Sequence, residues 1–289
     1  MEASQAITRR STSNLAPAFV VLDRPRRLAM STLYAFCRQV DDVADEEMIP
    51  LETRRTVLSE WRDDVRRACE GGSPEKIVIQ ELQPVIEKYA LKFEHFDELI
   101  LGVETDVEQG RCETFEDLDQ YCYRVASVVG LLSIEVFGYR NDDCQEYAVH
   151  LGKALQLTNI LRDVGNDAER GRIYLPQEAM EKFGVDPRSL LALKYSAAFH
   201  NLAADIAMRA RGHYQRAAEL LPAEDRRSMI AAECMGAVYW RLFRTMEQDK
   251  FRVVDREPTR ISRLRKLMIF LGVWLRTISG SHEPNYGRD

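Results

Sequence analysis

The sequence predicts an all-α protein, and three observations carry that expectation. Apolar residues recur every three or four positions along most of the 289 residues, and no stretch alternates apolar with polar as a half-buried strand does. Only 15 glycines and 10 prolines are present, too few for the many tight turns of an all-β chain. Hydrophobic residues make up 45% of the chain, enough for one substantial core and too many for a disordered segment.

The periodicity places helices over 26–46, 52–70, 75–90, 92–109, 114–138, 143–167, 189–220, 224–250 and 259–278. Pro25 opens the first, where a missing N–H costs no helical bond. Pro50 divides the first from the second, and Pro74 precedes the third. Pro84 falls inside the third and predicts a kink or a split. The next three helices contain no proline. Pro176 and Pro187 lie in the stretch before 189–220, Pro222 separates the two long helices, Pro258 precedes the last and Pro284 follows it. The breaks are short, with no low-complexity linker and no repeat of solenoid period. One domain over 1–289 is therefore expected, with a flexible start at 1–12 and a flexible tail at 280–289.

Lys plus Arg number 40 and Asp plus Glu 46, a net charge of −6. That balance gives no basic footprint for nucleic acid, and no nucleic-acid partner is expected. The six cysteines form no C-x-x-C pair and the five histidines show no ligand spacing, so reduced thiols are expected. The polar start lacks the apolar stretch of a signal peptide. The longest apolar run, Leu267 to Leu275, is far short of the roughly 20 residues of a spanning helix. A cytoplasmic protein is the expectation.

Two helical segments carry chemistry. In Tyr34-Ala-Phe-Cys-Arg-Gln-Val-Asp-Asp-Val-Ala-Asp-Glu46, the residues Tyr34, Arg38, Asp41 and Asp45 share one face. In the segment from Gln156 to Asp167, the residues Gln156, Asn159, Asp163 and Asp167 do the same, with Arg162 off that face. Like charges at i and i+4 disfavour a helix by roughly 0.2–0.5 kcal/mol, a cost that a divalent cation reverses. Mg²⁺ takes oxygen ligands, usually one or two carboxylates plus substrate phosphates. Two facing stripes would thus clamp a diphosphate. Spacing alone is weak support, since solvated acidic faces are common. The context is stronger: both stripes lie among apolar residues, Leu33, Phe36, Val40 and Val43 in one and Leu155, Leu157, Ile160 and Leu161 in the other. Both also carry arginines, which suit phosphate oxygens.

The run Tyr-Ala-Phe-Cys-Arg-Gln-Val-Asp-Asp-Val-Ala-Asp at 34–45 resembles the first aspartate motif of the squalene and phytoene synthase family. Gln156 to Pro176, Gln-Leu-Thr-Asn-Ile-Leu-Arg-Asp-Val-Gly-Asn-Asp-Ala-Glu-Arg-Gly-Arg-Ile-Tyr-Leu-Pro, resembles the second. Tyr-Cys-Tyr-Arg-Val-Ala-Ser-Val-Val-Gly at 121–130 is similar to the stretch that shapes the family's hydrophobic tunnel. The likeness extends over roughly residues 12 to 260. It implies an isoprenoid-synthase-type helical bundle around a central cavity and head-to-head (1′-1) joining of two prenyl diphosphates to a cyclopropyl diphosphate.

By motif position, the resemblance assigns Asp41, Asp45, Asn159, Asp163 and Asp167 to Mg²⁺, two or three ions with the diphosphate. It assigns Arg38, Arg162, Arg172 and, by a looser match, Arg256 to the substrate diphosphate. Tyr121, Gln156, Tyr174 and, again loosely, Tyr239 fall at the reaction centre as catalytic residues. Leu15, Tyr34, Ala126, Val129 and Gly130 fall in the tunnel. Many family members carry a Ser-x-Ser-Phe-like segment near the start; here Asn14 and Leu15 stand in place of the usual Ser and Phe. Leu for Phe would alter the tunnel mouth or its chain-length gate.

The segment Val125 to Gly138 looks more like bacterial presqualene diphosphate synthases of the squalene and hopanoid route than like phytoene synthases. This favours farnesyl diphosphate (C15) over geranylgeranyl diphosphate (C20), with further enzymes of that route downstream. No G-x-G-x-x-G is present, and NADPH is not expected. Arg256, Arg260, Arg263, Arg265, Lys266 and Arg276 surround the apolar run 267–275. A basic amphipathic helix of this kind fits peripheral contact with the inner face of an anionic membrane, or else a last core helix with a solvated face. Head-to-tail prenyltransferases and terpene cyclases share Asp-Asp-x-x-Asp but not the second motif. A lipid-binding or assembly protein on the same fold would be expected to lose some of the four aspartates.

Overall fold

A computed structural model describes residues 2–10, 16–46, 48–108, 111–281 and 283–288 of the chain. Among them there is no strand. The helices are α1 (Glu2–Arg10), α2 (Arg24–Asp45), α3 (Leu51–Cys69), α4 (Ile77–Tyr89), α5 (Phe93–Val107), α6 (Phe115–Cys122), α7 (Val128–Phe137), α8 (Asp143–Glu169), α9 (Gln177–Phe183), α10 (Pro187–Leu191), α11 (Ala197–Leu220), α12 (Ile230–Gln248) and α13 (Arg263–Ile278). A 3₁₀ turn over Ala16–Val21 precedes α2.

The element starts follow local chemistry. Asp23 caps α2 by accepting from the Arg26 amide, with Pro25 in the first turn. Thr114 and Asp117 close a reciprocal capping box on α6. Pro84 does not split α4, which runs through it from Ile77 to Tyr89; a proline interior to a helix forfeits one N–H and crowds one carbonyl, and here tertiary burial of Val78, Ile79, Leu82, Val85 and Ile86 outweighs that. The expected helix at 189–220 is two pieces, α10 and α11, parted at Leu193 in the left-handed region. The expected 114–138 helix holds, with a π-helical turn inside it over Tyr123–Ser127.

α2, α5, α7, α8 and α12 surround the interior. Phe36 meets Trp61 and Phe96 edge-on at 5.8 and 5.2 Å, joining α2 to α3 and α5. α8 crosses the π turn at Gly152, where an added Cβ would sit 2.7 Å from Ser127 Cα. Only glycine lets the two backbones approach so closely. All six cysteines are free thiols.

Both ends pack against the body of the protein. Residues 2–10 form a helix whose Ser4 hydroxyl and amide donate to Glu81 of α4. The tail is docked: Tyr286 is 2% exposed. Neither end carries a long apolar run, which is why periodicity alone leaves both unassigned. Leu15, expected in the tunnel, and its neighbour Asn14 lie outside the described residues. No helix among the described residues is long and apolar enough to cross a membrane.

Candidate active site

The helices enclose a cavity of about 1500 Å³. One end is polar. α2 supplies Arg38, Asp41, Asp42 and Asp45 to it, and α8 supplies Gln156, Asn159, Arg162, Asp163 and Asp167. The rest is walled by apolar residues, including Val125, Ala126 and Val129 at the π turn and its exit, with Gly130 beside them. A π turn inserts one extra residue per turn and re-aims the side chains beyond it, and here both flanks of the turn face the cavity. Tyr34 also lines it.

The carboxylates are held in a lattice of cations. Arg38 pairs with Asp41 at 3.2 Å and with Asp42 at 2.5 Å. Arg162 grips Asp163 through both oxygens, at 2.8 and 2.5 Å. Arg172 donates to Asp45 at 3.1 Å and to the Ala44 carbonyl at 2.9 Å, and Arg170 reaches Asp45 at 3.4 Å. The loop after α8 thereby clamps the end of α2, bringing the two sequence motifs together. Arg162 turns into the cavity rather than away from it, since its long side chain curls back onto Asp163.

Sequence reading missed Asp106 of α5. It lines the cavity and accepts from the Tyr174 hydroxyl on Oδ1 at 2.9 Å and from the Tyr121 hydroxyl on Oδ2 at 3.2 Å. The two tyrosine rings stack at 5.2 Å. Asp106 is one of five acids on α5, with Glu94, Asp97, Glu98 and Glu104, and no spacing sets it apart; its signal is burial, which sequence does not show. Lys266, at the start of α13, is a second addition, beside Arg260 and Arg263 on the cavity rim.

Burial and mutual repulsion push these acids up. Asp41 rises to about 6, by burial first and then by Asp45. Asp167 rises to about 7, by burial and then by Asp163. Asp106 rises to about 7 by burial, with the two tyrosine hydrogen bonds opposing. Tyr121 and Tyr174 are driven well above the ordinary phenol, first by burial and then by Asp106. Burial, and after it Arg162 and Arg263, lowers Lys266. Anionic and cationic groups are thus crowded at one end, each costly without a counter-ion.

A hard divalent cation fits this donor set. All the donors are oxygens, and the Asn159 side-chain oxygen is buried with no hydrogen-bond partner. Among the described residues no three Asp, Glu, His or Cys side chains close on one point.

Among the described residues of the expected set, Arg172, Tyr174 and Arg256 lie off the cavity lining. Tyr174 reaches it through Asp106. Arg256 stands apart, 49% exposed along its side chain and paired with Asp249 at 2.8 Å; it lies in the loop before α13, where the local sequence fixes no helical face. Tyr239 of α12 lines the cavity and adds to the field that raises Arg162.

The squalene/phytoene synthase family profile matches residues 8–265. A presqualene diphosphate synthase of Rhodopseudomonas palustris is 38% identical over 263 residues, covering 90% of this chain and 92% of that protein. One from Sinorhizobium fredii is 37% identical over 248 residues, covering 84% and 86%. The crystal structure of a dehydrosqualene synthase in complex with ligand superposes with a TM-score of 0.86 at 27% identity, covering 96% of each chain.

Proposed function

The chain belongs to the squalene/phytoene synthase family of prenyl transferases, and from that premise we propose that it joins two farnesyl diphosphates head to head into presqualene diphosphate. The observation that carries this reading is the division of one cavity into a charged end, built by α2 and α8, and an apolar remainder. A diphosphate and a prenyl chain need those two environments.

Asp41, Asp45, Asn159, Asp163 and Asp167 would hold Mg²⁺, which supplies positive charge to the leaving diphosphate. Arg38, Arg162 and Arg172 exchange their carboxylate partners for phosphate oxygens as substrate enters. Fixed cations aimed at that developing charge lower the barrier to ionisation. The C1–O bond breaks and its electron pair leaves with diphosphate. The double bond of the second substrate then supplies the pair for the new carbon–carbon bond. Closure of the cyclopropane ring expels one proton, for which the freed diphosphate is the acceptor. Tyr121 and Tyr174 stay protonated beside Asp106, so they orient and donate rather than act as bases. Val125, Ala126, Val129 and Gly130 keep water from the cation. The reaction ends at the cyclopropyl diphosphate without NADPH, and a further enzyme of the squalene or hopanoid route takes the product.

The product is lipid-like, and α13 presents a surface to match. Leu264, Leu267 and Met268 are 69, 63 and 60% exposed, and Trp274 is 44% exposed. Phe270 and Val273, on the opposite side, are buried against α12. We read the exposed face, with its flanking arginines, as a peripheral contact with anionic lipid. Vesicles of phosphatidylglycerol should carry the protein upward in flotation and neutral vesicles should not; equal behaviour would contradict it.

The catalytic reading is tested by diphosphate release from farnesyl diphosphate with Mg²⁺. Asp41→Asn or Asp167→Asn should lower the rate by about 100-fold or more, in line with loss of electrostatic groups at a charge-forming step. An undiminished rate in both variants would overturn it.

A further inference from the structure

The charged residues stand at one end of the cavity; the groups that close the other take no part in the chemistry above. Along α8 the lining runs from Asp163 back to Tyr147, its lining residue farthest from the carboxylates. The sixteen helical steps between them span about 24 Å at the helical rise. Tyr147 is fully buried, and its hydroxyl donates to Glu233 Oε1 at 2.9 Å.

Glu233 sits on α12 and is itself buried, at 3% exposure. Its carboxylate also accepts from the Tyr286 hydroxyl at 2.5 Å and from Asn285 Nδ2 at 2.7 Å. An acid at that depth is costly unless hydrogen-bonded, and donors from α8 and the chain's end meet the need. The Tyr286 ring lies over Gly236, where a Cβ would come within 2.4 Å of it. The tail is thus built into the wall behind the cavity. Tyr147 lines the cavity while remaining fully buried, with its hydroxyl turned to Glu233.

We propose that Tyr147, held by Glu233 and the inserted tail residues Asn285 and Tyr286, is the floor of the prenyl tunnel and limits the chain length the enzyme accepts. The proposal rests on the reading of this cavity as a prenyl diphosphate site. Farnesyl chains end at the ring; geranylgeranyl chains, one isoprene unit longer, meet it.

The test is competition between farnesyl and geranylgeranyl diphosphate, read as the ratio of their kcat/KM values. Y147A should raise the C20-to-C15 ratio by about tenfold or more, the scale at which a pocket discriminates by a few methylenes. A chain ending at residue 281 should raise it too, because Glu233 loses two of its donors and Tyr147 its anchor. Circular dichroism and cooperative melting establish that each variant is folded. An unchanged ratio in folded Y147A, or in the folded shortened chain, overturns the proposal. Where either fails to fold, Y147F and Y286F replace it: each keeps its ring and removes one bond to Glu233, and the ratio should rise about threefold, an unchanged ratio again overturning it. Failure of the underlying reading looks different, for the unaltered protein then couples neither diphosphate and the proposal falls with it.

Discussion

At the scale of single residues, the site is a set of acids that fold at a cost. Asp41, Asp106 and Asp167 bind protons more tightly folded than unfolded, at about 6, 7 and 7 against an ordinary 3.8. Their contribution therefore favours the fold below pH 4 and is lost as pH rises through 6 to 7. Without metal, the melting temperature contribution of these groups should fall between about pH 4 and pH 7. Mg²⁺ with inorganic diphosphate should restore more stability at pH 8 than at pH 6, with protons released on binding. Calorimetry at both pH values checks this, and D41N and D167N should flatten the difference. Y174F removes one of two donors to Asp106 and should cost about 1 kcal/mol of stability in urea unfolding. The two acidic stripes were legible because helical spacing puts residues four apart on one face. Asp106 was not, because its partners Tyr121 and Tyr174 come from α6 and the loop before α9, and only the fold brings them together.

At the scale of elements, α8 decides the architecture. It carries the second motif, walls the cavity from Tyr147 to Asp167, and meets the π turn at Gly152. G152A would force Cβ against Ser127 backbone, which cannot yield as a side chain can. We expect a loss of about 1–3 kcal/mol and a shifted tunnel wall, seen as lowered chemical stability together with a raised KM for the prenyl substrate. Wild-type stability in that variant would count against the packing described. The long helices were readable from apolar periodicity and from prolines between them. The π turn was not, since Tyr123–Ser127 keeps a helical pattern whose extra residue is imposed by packing against α5 and α8. Nor was the break at Leu193, a conformation that its residue type disfavours.

At the scale of the whole molecule, one cavity unites residues from nearly the full length of the chain. The first motif sits on α2, the second on α8, and the loop from Arg170 to Arg172 ties them through Asp45. The ends of the chain complete the body: α1 docks through Glu81 and the tail through Glu233. Short polar ends carry no periodic signal, so their docking is legible only once the surfaces that receive them exist. Arg256, which a matching spacing placed near substrate, pairs with Asp249 at the surface.

The measurement that tests the account most directly is identification of the product. Purified protein is incubated with Mg²⁺ and either farnesyl or geranylgeranyl diphosphate, with and without NADPH. Extracts are then read by mass spectrometry before and after phosphatase. A C30 alcohol from the farnesyl substrate is expected, seen only after phosphatase and unaffected by NADPH. A C40 hydrocarbon formed in preference from the C20 substrate would contradict the assigned chain length, and no coupled product from folded protein would contradict the assigned reaction.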